Sequence, residues 1–355
     1  MTDAVLAKPT VSVVMPVRNA MPFLDQAIES ILAQTFEDFE LIVGDDASSD
    51  GSTDRLRDWA ARDNRIRVMR RDTPSGFAGS SNWVAASARA DLIARMDADD
   101  ISHPERLARQ VEAMVAHPRA VLVATVWEGI DEDGRVVRPP DLAGLFQPSA
   151  FSRPFAHGTV MVRKTAFHAS GGYRSVCDSW EDTDLFIRLR RMGEVVILGE
   201  PLYRYRYSRA SVRLHMSSDR INAQLALQIK CRSAFAKYAS YESELDGEAG
   251  ERLGASTPLP LRVLRKRAAW AVWAGQRSDL LGEFLRRRRG QRYSADGLSL
   301  MFLIWAYLSP GSLRWLQSCV ARVQNRLVEH RLGAAEYVIW PVMEKRQSPD
   351  EVSAR

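Results

Sequence analysis

Through the first 125 residues, short β-branched runs alternate with stretches whose apolar positions recur at helical spacing. Compact apolar runs predict strands over residues 11–15, 39–43, 66–70, 92–95 and 121–125. Apolar positions three and four apart predict helices over 21–34, 52–61, 76–88 and 104–116. Such alternation makes βαβ units, so the expected fold class is α/β, a mostly parallel sheet with helices on both faces. Gly, Pro and Asp over 129–148 mark turns, with a hairpin carrying Arg135-Val-Val-Arg138. A strand over 157–162, a loop with Gly171 and Gly172 and a helix over 181–192 follow. After about residue 211 the alternation stops. Two regions are therefore expected, an α/β region over 10–212 and a helical one over 217–355, the latter interrupted by a Gly-, Ser- and Pro-bearing loop over 246–260.

With 355 residues, 46% of them hydrophobic, the chain has the material for a large core. Cys177, Cys231 and Cys319 leave an odd count without paired metal-ligand spacing, which argues against a disulfide framework and for a reducing compartment. The apolar run Val11-Ser-Val-Val-Met15 stops at Pro16, too short for a secretory leader, and no run approaches the roughly 20 residues of a bilayer span. The stretch over 298–308 predicts a buried or interfacial helix, and the expected location is cytoplasmic, with peripheral contact to the inner face of the cell membrane. The net charge of +5 is unevenly placed: between Arg262 and Arg292 ten Lys or Arg residues stand against two acids, and Arg286-Arg-Arg-Arg289 lies near Trp270, Trp273 and Phe284. That pattern fits an anionic membrane surface, and equally a solvated or partner-binding helix face. No nucleic-acid-binding module accompanies the charge.

The candidate chemistry is acidic. Asp97, Asp99 and Asp100 follow directly on the apolar run over 91–95. Clustered carboxylates at a strand end need water or a cation, and oxygen ligands suit Mg²⁺ or Mn²⁺, which keep positions open for substrate phosphates. The alternative is a turn that caps a helix beginning near Pro104. A second acidic turn, Asp45-Asp-Ala-Ser-Ser-Asp-Gly-Ser52, ends another strand. In open α/β sheets the loops at the carboxyl ends of strands line one crevice. Here too a cap is the alternative, from Ser49 or Asp50 onto the helix at Ser52. A third element, Trp180-Glu-Asp-Thr-Asp-Leu-Phe-Ile-Arg188, opens a helix with Glu181 and Asp182 at its start. They are either dipole-favoured caps or a general base that takes a proton from an acceptor hydroxyl.

In this order, Met15-Pro-Val-Arg-Asn-Ala20, Ile31-Leu-Ala-Gln-Thr-Phe36, the Asp45–Ser52 turn, Asp97-Ala-Asp-Asp100 with His103-Pro-Glu-Arg106, and Glu181-Asp-Thr-Asp-Leu185 resemble the signature of family 2 glycosyltransferases. Five ordered motifs across roughly residues 10–212 are far more specific than any one. The resemblance implies a GT-A fold, a nucleotide-sugar-binding α/β sheet, and an inverting, metal-dependent transfer of a sugar from a nucleoside-diphosphate sugar to a hydroxyl acceptor. It implies a saccharide or lipid-linked saccharide acceptor of the cell envelope. Carried over by position, Pro16, Val17 and Arg18 border the base, Asp46 accepts a hydrogen bond from it, Asp97 lies near the ribose or donor sugar, and Asp99 holds Mg²⁺ or Mn²⁺ on the diphosphate. Asp182 is the base and Glu181 the alternative.

Three positions depart from the family pattern. Arg18 stands where an aromatic residue is common, Ser81-Asn82 where Arg-Asn is common, and the segment from Tyr205 to Ser211 lacks the usual histidine, for which Tyr207 or His215 is a substitute. A lone His157 at a strand start reads as a packed strand residue. Two other functions compete. A nucleotidyltransferase making nucleotide sugars calls for a Gly-rich basic loop after the first strand, which Met15–Ala20 lacks. A non-catalytic nucleotide-sugar-binding protein calls for loss of the metal or base carboxylate, and both are present.

Overall fold

In the computed structural model, the described residues are 8–138, 155–208 and 337–343, with a few positions between 227 and 245. The elements run β1 (Val11–Val17), α1 (Leu24–Leu32), β2 (Phe39–Asp46), α2 (Ser52–Arg62), β3 (Ile66–Arg71), α3 (Gly76–Ala86), β4 (Leu92–Arg95), β5 (Ile101–Ser102), α4 (Arg106–Ala116), β6 (Ala120–Ile130), β7 (Val136–Arg138), β8 (Met161–Arg163), α5 (Lys164–Ala169), α6 (Glu181–Arg190), β9 (Glu194–Arg206) and β10 (Tyr337–Trp340). The chain forms two compact units, and all but β7 and the last residues of β6 belong to the first. In the second, Gly129 and Ile130 pair with β7 to make the expected hairpin.

The sheet of the first unit has the order β10-β9-β6-β8-β4-β1-β2-β3, with β5 added to β9. β1 is central and runs parallel to β2 and β4, and β2 runs parallel to β3. Beyond β4 the sheet is mixed, since β8 is antiparallel to both β4 and β6. Strand alternation divides the core. Val11, Val13, Met15 and Val17 of β1 pack on α1, α2 and α4 through Leu24, Ile28, Leu56 and Leu107. Val14 faces the other way, onto a layer with Ala78 and Val84 of α3, Phe167 of α5 and Leu185 of α6. β1 and β2 are buried on both faces, which is why they read as apolar runs.

Three expectations change. The first helix begins at Leu24 because Ala20 ends a turn, its carbonyl accepting the N–H groups of Phe23 and Leu24 at 2.9 and 3.1 Å. The strand over 157–162 divides into a 3-10 turn at His157–Thr159 and the short β8. The helical reading of 217–355 fails at Tyr337-Val-Ile-Trp340, whose aromatic and β-branched residues form β10 against Val195–Leu198. Accordingly the described residues 337–343 group with the first unit. The remaining readings there, including the 246–260 loop, the Trp residues at 270 and 273, Arg286–Arg289 and His215, lie outside the described residues. Among the described residues no helix is long and apolar enough to cross a membrane.

Candidate active site

Because β4, β1, β2 and β3 are parallel, their carboxyl ends share one edge, and this is where the acidic turns lie. Val17 pairs in register with Asp45, and Asp46 with Arg71. β4 delivers the Asp97–Asp100 turn beside them, with the Met96 N–H donating to the Val14 carbonyl at 3.0 Å. Pro16 is half-buried, Val17 buried and Arg18 exposed. Asp45 is structural: it accepts the Ser48 N–H at 2.9 Å and the Thr53 hydroxyl at 2.5 Å. Asp46 accepts the Ser75 N–H at 3.0 Å and the Ser75 hydroxyl at 2.9 Å. A carboxylate has about four acceptor positions, so these bonds orient Asp46 and leave capacity for a ligand. Gly51, not Ser49 or Asp50, occupies the N-cap of α2 in a left-handed conformation, with φ 95°. Asp50 instead accepts the Ser52 N–H at 3.0 Å from one residue further out.

The turn after β4 is not a helix cap. Glu105 holds the N-cap of α4, and no side chain bonds there. Asp97 is paired with Arg95 at 2.7 Å, and its N–H donates to the Tyr203 hydroxyl at 3.3 Å. Arg206, the last residue of β9, fastens the far side. Its N–H donates to Asp100 Oδ1, its Nε to the Asp99 carbonyl and its Nη2 to Gln26 Oε1, each at 2.7 Å. Beneath lies Arg106, fully buried, donating to the carbonyls of Arg95 at 2.9 Å and Gly158 at 2.6 Å. Burial lowers its guanidinium to about 10.

Even so, the carboxylates lack sufficient positive charge. Burial and the neighbouring Asp97 raise Asp99 to about 6. Burial, with Asp99 and Asp97, raises Asp100 well above the usual carboxylate range. Its Oδ2 is buried without a hydrogen-bond partner. An oxygen-only cluster that holds protons against its own ionisation fits a hard divalent cation. Among the described residues no three His, Cys, Asp or Glu side chains form a complete cage, so such an ion would take further oxygens from substrate and water.

At the third motif, Trp180 occupies the N-cap of α6 and no side chain caps it. Glu181 and Asp182 are both buried there, so neither is a solvated helix-end charge. Asp182 Oδ1 accepts the Thr183 N–H at 2.5 Å. Asp184 is the motif's structural acid: it is fully buried, with Oδ2 accepting Arg174 Nε at 3.0 Å and Arg188 Nη2 at 2.6 Å. The hydroxyl of Tyr173 feels charges from both the Asp97 turn and the start of α6. Burial raises its hydroxyl well above the usual tyrosine range, the charges of Asp182, Glu181 and Asp97 act in the same direction, and Arg95 opposes them. Tyr207, a proposed substitute for histidine, donates its N–H to the Ile130 carbonyl at 2.8 Å.

The basic and aromatic partners Arg95, Arg206, Tyr203 and Tyr173 escaped the sequence reading, which followed acids. A charged Arg95 closing the apolar strand Leu92–Arg95 was the available signal, since buried arginines are paired.

The family described as glycosyl transferase family 2 matches residues 12–181. The putative glycosyltransferase EpsE of Bacillus subtilis (strain 168) is 35% identical over 230 residues, which span 63% of this chain and 82% of EpsE. The chain belongs to glycosyl transferase family 2. This glycosyltransferase is also 31% identical over 185 residues to the O-antigen biosynthesis glycosyltransferase WbnJ of Escherichia coli, spanning 50% of the chain and 71% of WbnJ. Two solved structures share its GT-A fold. S. aureus TarS 1-349 in complex with UDP-GlcNAc aligns with a TM-score of 0.53 at 16% identity, over 81% of this chain and 95% of that one. The mannosyltransferase PcManGT of Pyrobaculum calidifontis, in complex with GDP-Man and Mn²⁺, aligns with a TM-score of 0.53 at 18% identity, over 93% and 88%.

Proposed function

We propose that this glycosyltransferase moves a sugar from a nucleoside-diphosphate sugar to a hydroxyl of a cell-envelope saccharide or lipid-linked saccharide, in one inverting, metal-dependent displacement. One observation carries the reading: the Asp97–Asp100 turn, held by Arg95 and Arg206, lies at the carboxyl edge of the parallel strands, on the same edge as Asp46. Asp182, buried at the start of α6, accepts the Thr183 N–H on Oδ1. The ligands in the complexes of TarS and PcManGT, UDP-GlcNAc and GDP-Man, support a nucleotide-sugar donor, and the O-antigen biosynthesis glycosyltransferase WbnJ supports an envelope acceptor.

In this reading Pro16, Val17 and Arg18 border the base and Asp46, oriented by Ser75, accepts a hydrogen bond from it. Asp99 would hold Mg²⁺ or Mn²⁺, with Asp97 toward the ribose or donor sugar. When bound, the metal neutralises charge on the departing diphosphate. Asp182 takes the acceptor hydroxyl proton as that oxygen bonds to the anomeric carbon, the carbon–oxygen bond to the diphosphate breaks, and the nucleoside diphosphate leaves. Attack opposite the leaving group inverts the centre. Glu181 is the alternative base.

Two variants test the roles. Asp99→Ala is expected to lose the Mn²⁺-dependent thermal stabilisation given by UDP or GDP while keeping its melting temperature without ligand. Asp182→Asn is expected to keep that stabilisation and lose transfer by about 10²- to 10⁴-fold. Retained Mn²⁺-dependent nucleotide binding in Asp99→Ala removes the metal role, and near-normal turnover in Asp182→Asn passes the base role to Glu181.

A further inference from the structure

Between the acidic turn and α6 lies a pair of side chains that the proposed chemistry leaves unused. His157 Nε2 and the Tyr173 hydroxyl are 2.7 Å apart, their rings edge to face with centroids at 5.3 Å. Tyr173 is fixed on the main chain by Asn82, which accepts its N–H and donates to its carbonyl, both at 2.8 Å. This gives Asn82 a structural use in the segment where the family pattern is broken. His157 begins the 3-10 turn whose next residue, Gly158, has no room for a Cβ: one would lie 1.9 Å from the Tyr203 hydroxyl and 3.1 Å from Asp97 Oδ2. On its other side His157 meets the Phe186 ring edge to face at 6.2 Å. Phe186 stands one helical turn after Asp182, and residues four apart share a helix face. The pair therefore touches the acidic turn through Gly158 and the Asp182 face of α6 through Phe186.

We propose that His157 and Tyr173 are positioning residues of the transfer reaction, a hydrogen-bonded strut that sets Asp182 against the donor-binding turn. The inference rests on the reading of Asp182 as the base. A displaced base costs turnover far more than affinity, because geometry at the reacting atoms enters the transition state and not the bound donor.

Tyr173→Phe keeps the ring and removes the strut. With UDP-GlcNAc or GDP-mannose and Mn²⁺, nucleoside diphosphate release to water is expected to fall about 10- to 100-fold in kcat, with KM for the donor within about twofold of wild type. In an Asp182→Asn background the same change is expected to cost nothing further, because both act through one group. Unchanged kcat in Tyr173→Phe, or losses that multiply in the double variant, overturns the strut. The second readout needs no turnover. The His157 Hε1 resonance, assigned by its disappearance in His157→Gln, is expected to move in both Tyr173→Phe and Asp182→Asn. A resonance that ignores Asp182→Asn overturns the link, and where neither donor is hydrolysed it decides alone. Full turnover in Asp182→Asn with a responsive His157 sinks the base reading instead, so the two failures are distinct.

Discussion

Asp99 carries a pH signature of its own. Its carboxyl, raised to about 6 by burial and by Asp97, binds a proton in the fold more tightly than in the unfolded chain, where the ordinary value is 3.8. Stability from that proton is complete below about 3.8 and is lost as pH rises through about 6. If Asp99 holds a divalent cation as proposed, that cation replaces the proton, so Mn²⁺ stabilisation should be small at about pH 5 and grow through pH 6 to 7. Melting curves with and without Mn²⁺ across that range check it, and Asp99→Asn should flatten the dependence. The carboxylates themselves were legible in the sequence because acids clustered at strand ends have few uses. Arg206 was not. It reaches the turn from 106 positions away along the chain, and only the antiparallel pairing of β9 with β5 brings it there.

At the scale of elements, α6 depends on Asp184 rather than on its first two acids. Asp184 is fully buried between Arg174 and Arg188, and Arg188 also donates to the Gly172 carbonyl at 2.6 Å. Removing one partner of a buried pair leaves the others uncompensated, so Asp184→Ala should cost about 3–5 kcal/mol, read as a lower urea midpoint. Donor binding by the folded fraction should persist. The parallel strands and their helices were legible because burial on both faces writes long apolar runs and one-sided burial writes helical stripes. The elements that misled are short or depend on distant partners. The 3-10 turn at His157–Thr159 runs directly into the apolar Val160-Met-Val162 and so reads as one strand with it, and β10 is four residues that become a strand only against β9.

For the whole molecule, charge along the sequence outside the described residues bears on where the enzyme works. Arg286–Arg289 stand in a stretch with ten basic residues against two acids, and near an anionic surface each charge contributes on the order of 1 kcal/mol. Changing the four to Gln should release the protein from anionic vesicles at physiological salt, as read by co-sedimentation. Wild type that ignores such vesicles would end the membrane reading of this stretch. A second consequence concerns anyone who wishes to work with a smaller piece of this chain. The polypeptide leaves β9 at Arg206 and comes back at Tyr337 to lie against Val195–Leu198 of that same strand. A gene cut near codon 212 removes the neighbour of those four residues and leaves their amide groups as an open template on which two truncated copies can zip together. A fragment that keeps this edge covered is therefore discontinuous: residues up to about 208 joined by a linker to those around 337–343, a splice in place of a truncation.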